Sequence, residues 1–273
     1  LDKIVAKKDH RGGKDISAED FKTHFGFKDV QFGEYVKAEE GQRHLNASYD
    51  AFMDLAEHLG MSPKGISLGG WLHFSIGALG HGKYAAHFQL DGRGQAVINL
   101  TKTRGDGTVA QEWGHALDFF LRKSSASQHP SVAAVVSELR RAYNYEALHA
   151  SAISALKTGG SFMTRGGRKL YDLSTDDGRI NNAIDTIRYY NKARGQPSNF
   201  HTAALVLDGL KAVTTKAYWS NDREMFARAW EAAISDGLDG ESNYLVNSAY
   251  VGDGAVTQAT RRGTPYPEGE ERQ

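Results

Sequence analysis

The chain has no cysteine in its 273 residues. Disulfides are therefore excluded, and any metal site has to be built from His, Asp or Glu. The same lack fits a cytoplasmic protein. Neither charge is in excess, since 33 Lys and Arg stand against 33 Asp and Glu. A balanced chain has no overall basic footprint for nucleic acid or an anionic membrane, which leaves only local patches to consider. Long apolar runs are missing as well. Stretches such as VAAVV at 132–136 fall far short of the roughly 20 residues that a bilayer-spanning helix needs. The opening LDKIVAKKDH has no apolar core of a secretory signal and does not begin with Met, so it reads as the start of a piece of a longer polypeptide. GALGHG at 77–82 opens no helix and reads as a turn, so a nucleotide fingerprint is absent. No internal repeat or low-complexity tract stands out.

What is present is ordinary globular composition, 40% hydrophobic and 24% charged, enough for a sizeable core. Short helical signals follow Ser17 and recur near Phe32–Glu40. NASYDAFMDLAEHLG is a clearer helix, with Phe52, Leu55, Ala56 and Leu59 at three- and four-residue spacing and Gly60 to stop it. The pattern then turns to period two. It predicts three strands, at Leu72–Ile76, Ala85–Leu90 and Ala96–Thr101, joined by turns at Gly80–Gly82 and Asp91–Gly94. Further helices are expected at 131–157, 176–194, 202–217 and 222–236. A Gly-rich basic loop, Lys157–Lys169, carries Lys157, Arg165, Arg168 and Lys169 with no acid. It could meet phosphate or an acidic partner such as nucleic acid, or simply lie solvated. The fold class is α+β, helix-rich with one small, mostly antiparallel sheet. The expected organisation is a polar lead over 1–24, one domain over 25–260 and an extended tail over 261–273.

The chemistry centres on GTVAQEWGHALDFF at 107–120. On a helix, Gln111, His115 and Asp118 share one face with Glu112 beside it, while Val109, Trp113, Ala116 and Phe120 form the opposing apolar stripe. Two ligands one turn apart can reach one ion, and a Glu between them can act as general base. The competing reading puts Glu112 and His115 on a solvated helix face. Gly114, just before His115, permits close approach of another segment. In YWSNDREMFARAWEAA, Glu224 is the candidate downstream ligand, although Asn221 with Glu224 three residues later is also a capping box. Glu231 is the reserve candidate, or else a surface ion-pair partner of Arg228. His73, His81 and His87 of the strand region are further possible ligands.

Six segments, FGFKDVQFGEYV, LNASYDAFMDLAEHLG, AVINLTK, AQEWGHALDFFL, EMFARAWEA and PYPEGEER, occur in an order that resembles the zincin-like metallopeptidase domain associated with large polyvalent proteins of phages and conjugative elements. The resemblance runs from about Phe25 to the C-terminus. It implies zinc as cofactor, Glu112 as catalytic general base, His115 and Glu224 as zinc ligands, and a cleft lined by residues 68–100. The family motif reads His-Glu-Trp-Gly-His-Ala-Leu-Asp, and Gln111 stands where its first ligand histidine would be. An amide oxygen is a weaker zinc donor than imidazole, so zinc binding is expected to be weak or absent unless Asp118 or another group substitutes. Three accounts follow. The first is an impaired zinc peptidase acting on a protein, in a host cell's cytoplasm and without a membrane. The second is a non-catalytic pseudoenzyme module binding a protein or DNA partner in counter-defence. The third is an active enzyme into which Gln111 was deliberately introduced.

Overall fold

The computed structural model describes residues 6–78, 86–91, 94–101, 107–123, 198–210, 218–246 and 266–269. Helix α1, Ala18–Phe25, starts where the Ser17 side chain accepts from the Asp20 amide, and it stops at Gly26, whose φ of 70° suits a residue without Cβ. Strand β1, Val30–Phe32, and the long helix α2, Ala38–Leu59, follow. The region near Phe32–Glu40 is therefore a strand end, a turn and a helix start, not a separate helix. The Gly33 amide donates to the Ile76 carbonyl at 2.9 Å, which holds this stretch to the sheet. Helix α2 ends at Gly60 in the left-handed conformation, as the sequence indicates.

Strands β2, Leu72–Ile76, β3, Ala86–Leu90, and β4, Ala96–Leu100, lie within a residue of their expected positions. Their arrangement corrects the expectation of a mostly antiparallel sheet. The order is β1-β2-β4-β3, with β1–β2 and β2–β4 parallel and only β3–β4 antiparallel. The turn after Asp91 is a true hairpin, in which the Asp91 amide bonds the Gln95 carbonyl and Gly94 adopts φ 74°. The chain leaves β2, forms β3 at the outer edge and returns as β4 between them. Both β2 and β4 are buried along their whole length, as expected of central parallel strands.

The core lies on the sheet face bearing Leu72, Phe74, Ile76, Ala96, Ile98 and Leu100. Phe21, Phe25, Phe27 and Phe52 pack there in ring contacts at 5.0–6.1 Å, and Phe74 meets Phe21 at 5.3 Å. Helix α3, Val109–Lys123, packs on the same face, with Phe119 stacked on Trp71 at 5.5 Å and near Phe88 at 5.7 Å. Helices α4, Asn199–Leu210, and α5, Asp222–Gly237, complete the α+β architecture of five α-helices and one four-stranded mixed sheet among the described residues. No helix among these residues is long and apolar enough to cross a membrane. The expected helices at 131–157 and 176–194, the Lys157–Lys169 loop, the Gly80–Gly82 turn and His81 lie outside the described residues.

Two segments at the ends of the expected domain are tied down. Arg11 reaches the Asp50 carboxylate at 2.9 Å and His10 the Asp54 carboxylate at 2.8 Å, which fastens residues 7–14 to α2. Near the C-terminus, the Tyr266 hydroxyl donates to Glu231 on α5 at 2.8 Å.

Candidate metal centre

Helix α3 buries its apolar stripe as patterned, with Val109, Trp113, Ala116 and Phe120 at most 3% exposed. The Trp113 indole N–H donates to the Ile66 carbonyl at 2.9 Å. Two backbone bonds from α3's entry, Gly107 to the Tyr244 carbonyl at 2.8 Å and Ala110 to the Leu245 carbonyl at 3.0 Å, fix where the helix begins. Gly114 supplies the close approach. A Cβ there would lie 2.8 Å from the Trp230 ring and 3.4 Å from the Ala227 Cα on α5.

That approach sets Glu224 opposite His115. The Glu224 Oε1 lies 3.6 Å from the His115 Nε2. Asn221 caps α5 by accepting from the Arg223 amide at 3.0 Å, so the cap forms while the Glu224 carboxylate turns toward α3. Two donors on one tetrahedral zinc at about 2.0–2.2 Å would stand roughly 3.3–3.6 Å apart, so this pair has the spacing to share one ion.

Glu112 is 7% exposed, and its Oε2 accepts from the Phe88 amide on β3 at 2.6 Å. The Phe88 N–H therefore points away from β4, toward the free side of the edge strand. Burial, then the neighbouring Glu224, pushes the Glu112 carboxyl up to about 8, with Glu231 adding to the rise and the Phe88 amide opposing it. Burial, then the Arg228 and Arg223 charges, lowers His115 to about 4. At neutral pH the site without metal holds a protonated Glu112 and a neutral imidazole, the form of His115 that can donate a lone pair.

Among the described residues no group of three or more His, Asp or Glu side chains could hold a metal ion. Gln111 lies one turn before His115, and its amide oxygen is a poor zinc donor. Asp118 is fully buried but is not gathered with His115 and Glu224 into such a group. His73 and His87 alternate with the core-facing residues of β2 and β3, so they sit on the sheet face turned away from α3.

Around the pair lies a buried shell, of which the sequence named Glu231 as a reserve ligand or a surface partner of Arg228. Glu231 is 1% exposed and accepts from Tyr266, so it is a buried carboxylate and not a surface ion-pair partner. Arg228 is also 1% exposed. Its Nε donates to the Glu224 carbonyl at 3.0 Å, its Nη2 to the Trp219 carbonyl, and its guanidinium lies 4.8 Å over the Trp219 ring. Tyr218 hydrogen-bonds Glu224 through its side chain, and burial followed by the Glu224 charge raises its hydroxyl above the ordinary value. The i, i+4, i+7 spacing of Glu224, Arg228 and Glu231 was the available signal for a shared face.

No curated protein and no solved structure matches the chain. Residues 210–273, which contain α5 with Glu224, Arg228 and Glu231, match the family model of large polyvalent protein-associated domain 1, and this match associates the chain with polyvalent proteins.

Proposed function

We propose that this chain is a zincin-type peptidase domain of a mobile-element polyvalent protein, left one metal ligand short by Gln111. The observation that carries the reading is the 3.6 Å approach of His115 Nε2 to Glu224 Oε1. It joins residues 109 positions apart (224 − 115) at a spacing suited to one ion, beside the buried Glu112. The substrate class is a protein, admitted along the outer edge of β3, where the Phe88 amide already holds Glu112.

A second reading is favoured by Gln111, whose amide oxygen is a poor zinc donor one turn before His115. In it the same cleft serves a non-catalytic module that binds a protein or DNA partner in phage or plasmid counter-defence.

The test is metal content by elemental analysis of the purified chain beside Gln111→His. On the first reading the variant holds one zinc per chain and the parent little, and cleavage of a generic protein substrate appears only in the variant. Equal zinc in both would mean that another residue completes the site. Zinc in neither would remove the metal reading and leave the binding module.

A further inference from the structure

Asp208, near the end of α4, makes an unusual set of bonds for a half-buried carboxylate. Its Oδ1 accepts from the amides of Tyr218 and Trp219, both at 2.8 Å. Its Oδ2 accepts from the Ser220 amide at 2.8 Å and the Ser220 hydroxyl at 2.7 Å. Three consecutive N–H groups converging on one anion form a backbone nest, and here the anion is the protein's own side chain. Burial works to raise the Asp208 carboxyl, but the bonds from Ser220, Trp219 and Tyr218 outweigh it and hold the group below its ordinary value.

The segment thus gathered leads directly into the candidate site. Asn221 follows as the cap of α5, and Glu224 lies in the first turn. The Tyr218 side chain bonds Glu224. The Trp219 carbonyl receives Arg228, which also holds the Glu224 carbonyl from below. These ties lead from Asp208 to one residue, Glu224, reaching its carboxylate through Tyr218 and its main-chain carbonyl through Arg228.

We infer that Asp208 is a positioning residue, which sets Tyr218 and the first turn of α5 so that the Glu224 carboxylate meets His115. This deepens the metal-centre reading and rests on it for its purpose, although the positioning itself is a property of the chain as it stands. Ser220 acts with Asp208, and the Tyr218 hydroxyl is the contact through which the cradle reaches Glu224.

Two measurements test it. In the parent chain, the ring resonances of His115 report where Glu224 lies. Asp208→Ala should shift them, Asp208→Asn should shift them less because one accepting oxygen remains, and Tyr218→Phe should shift them with the cradle intact. A purely structural Asp208 would lower the melting temperature and leave the His115 resonances of the folded protein unmoved, which would overturn the inference. Should Asp208→Ala fail to fold, Ser220→Ala, which removes one of the four bonds, and Asp208→Asn decide the matter by the same readout. In the Gln111→His background, adding Asp208→Ala should weaken zinc binding about ten- to a hundredfold in a chelator competition, the usual effect of losing an outer-shell partner. Unchanged affinity in a variant that binds zinc counts against Asp208 alone. If Gln111→His binds no zinc, the metal reading fails while the His115 resonances still judge the cradle.

Discussion

Gly114 concentrates the geometry of the site at one position. In a helix interior, Gly→Ala ordinarily gains about 0.5–1 kcal/mol by relieving backbone entropy. Here the added methyl would lie 2.8 Å from Trp230 Cδ1 and 3.1 Å from its Cγ. These are atoms near the root of a ring that is 3% exposed and in contact with Trp113 at 5.3 Å. Such a ring cannot swing aside as a flexible chain end can, and overpacking of this kind costs about 1–3 kcal/mol. The clash should win. Gly114→Ala is expected to lower the urea midpoint and to separate His115 from Glu224, so that Gln111→His no longer gains zinc when the two changes are combined. A midpoint equal to or above the parent's would show that α5 yields freely at this contact.

Between elements, α3 is held at its entry by the turn after α5, and the same turn is anchored to α2. The Tyr244 hydroxyl lies 2.8 Å from the His44 Nδ1 and accepts from the Ser48 hydroxyl at 3.3 Å, all in a buried setting. Tyr244→Phe keeps the ring and removes both bonds, and it should cost about 1–2 kcal/mol in chemical denaturation; no measurable loss would mean that these contacts do not hold the turn. This is the scale at which the sequence was most and least informative. Periodicity placed β2, β3, β4 and α5 to within about a residue, because side-chain alternation is written locally. It could not say which strands are neighbours. Period two reports faces, whereas pairing depends on backbone groups far apart in the chain, and so β2 lying beside β4 had no local signature. The site divides in the same way. Glu112 and His115 were singled out by the E-x-x-H spacing and Glu224 by the family resemblance, and the fold brings His115 and Glu224 together. Asp208 was not singled out, and Glu231 and Arg228 were read only as a reserve ligand or a surface pair, since a buried charge and a surface charge are the same letter until the partner, such as Tyr266 for Glu231, is brought up by the fold.

Over the whole molecule, buried titratable groups set how stability depends on pH. Burial lowers His24, His58, His73 and His87 below their ordinary value near 6.5, and His58 is packed so tightly that a Cβ on Gly237 would lie 2.1 Å from its ring. A histidine with a depressed folded pKa leaves the unfolded chain holding more protons below about pH 6.5, so stability falls as the pH drops through that window. His115, lowered to about 4, acts in the same sense. Glu112 acts oppositely. Raised to about 8 from its ordinary 4.5, it keeps its proton in the folded state while the unfolded state has lost it. Stability therefore falls as pH rises from about 4.5 to 8, at about 1.4 kcal/mol per pH unit for a single proton. Between pH 4.5 and 6.5 the five histidines oppose this one carboxyl, and above 6.5 the carboxyl dominates among them. Stability measured by urea denaturation in the presence of a chelator should therefore decline as the pH rises from 6.5 to 8. Glu112→Gln should flatten the limb from 6.5 to 8 and steepen the loss below 6.5, because its neutral amide has no proton to lose and no longer opposes the histidines. A limb between 6.5 and 8 that is equally steep in Glu112→Gln would assign the alkaline loss to other groups and place the Glu112 carboxyl in a wetter setting than its contact with Phe88 implies.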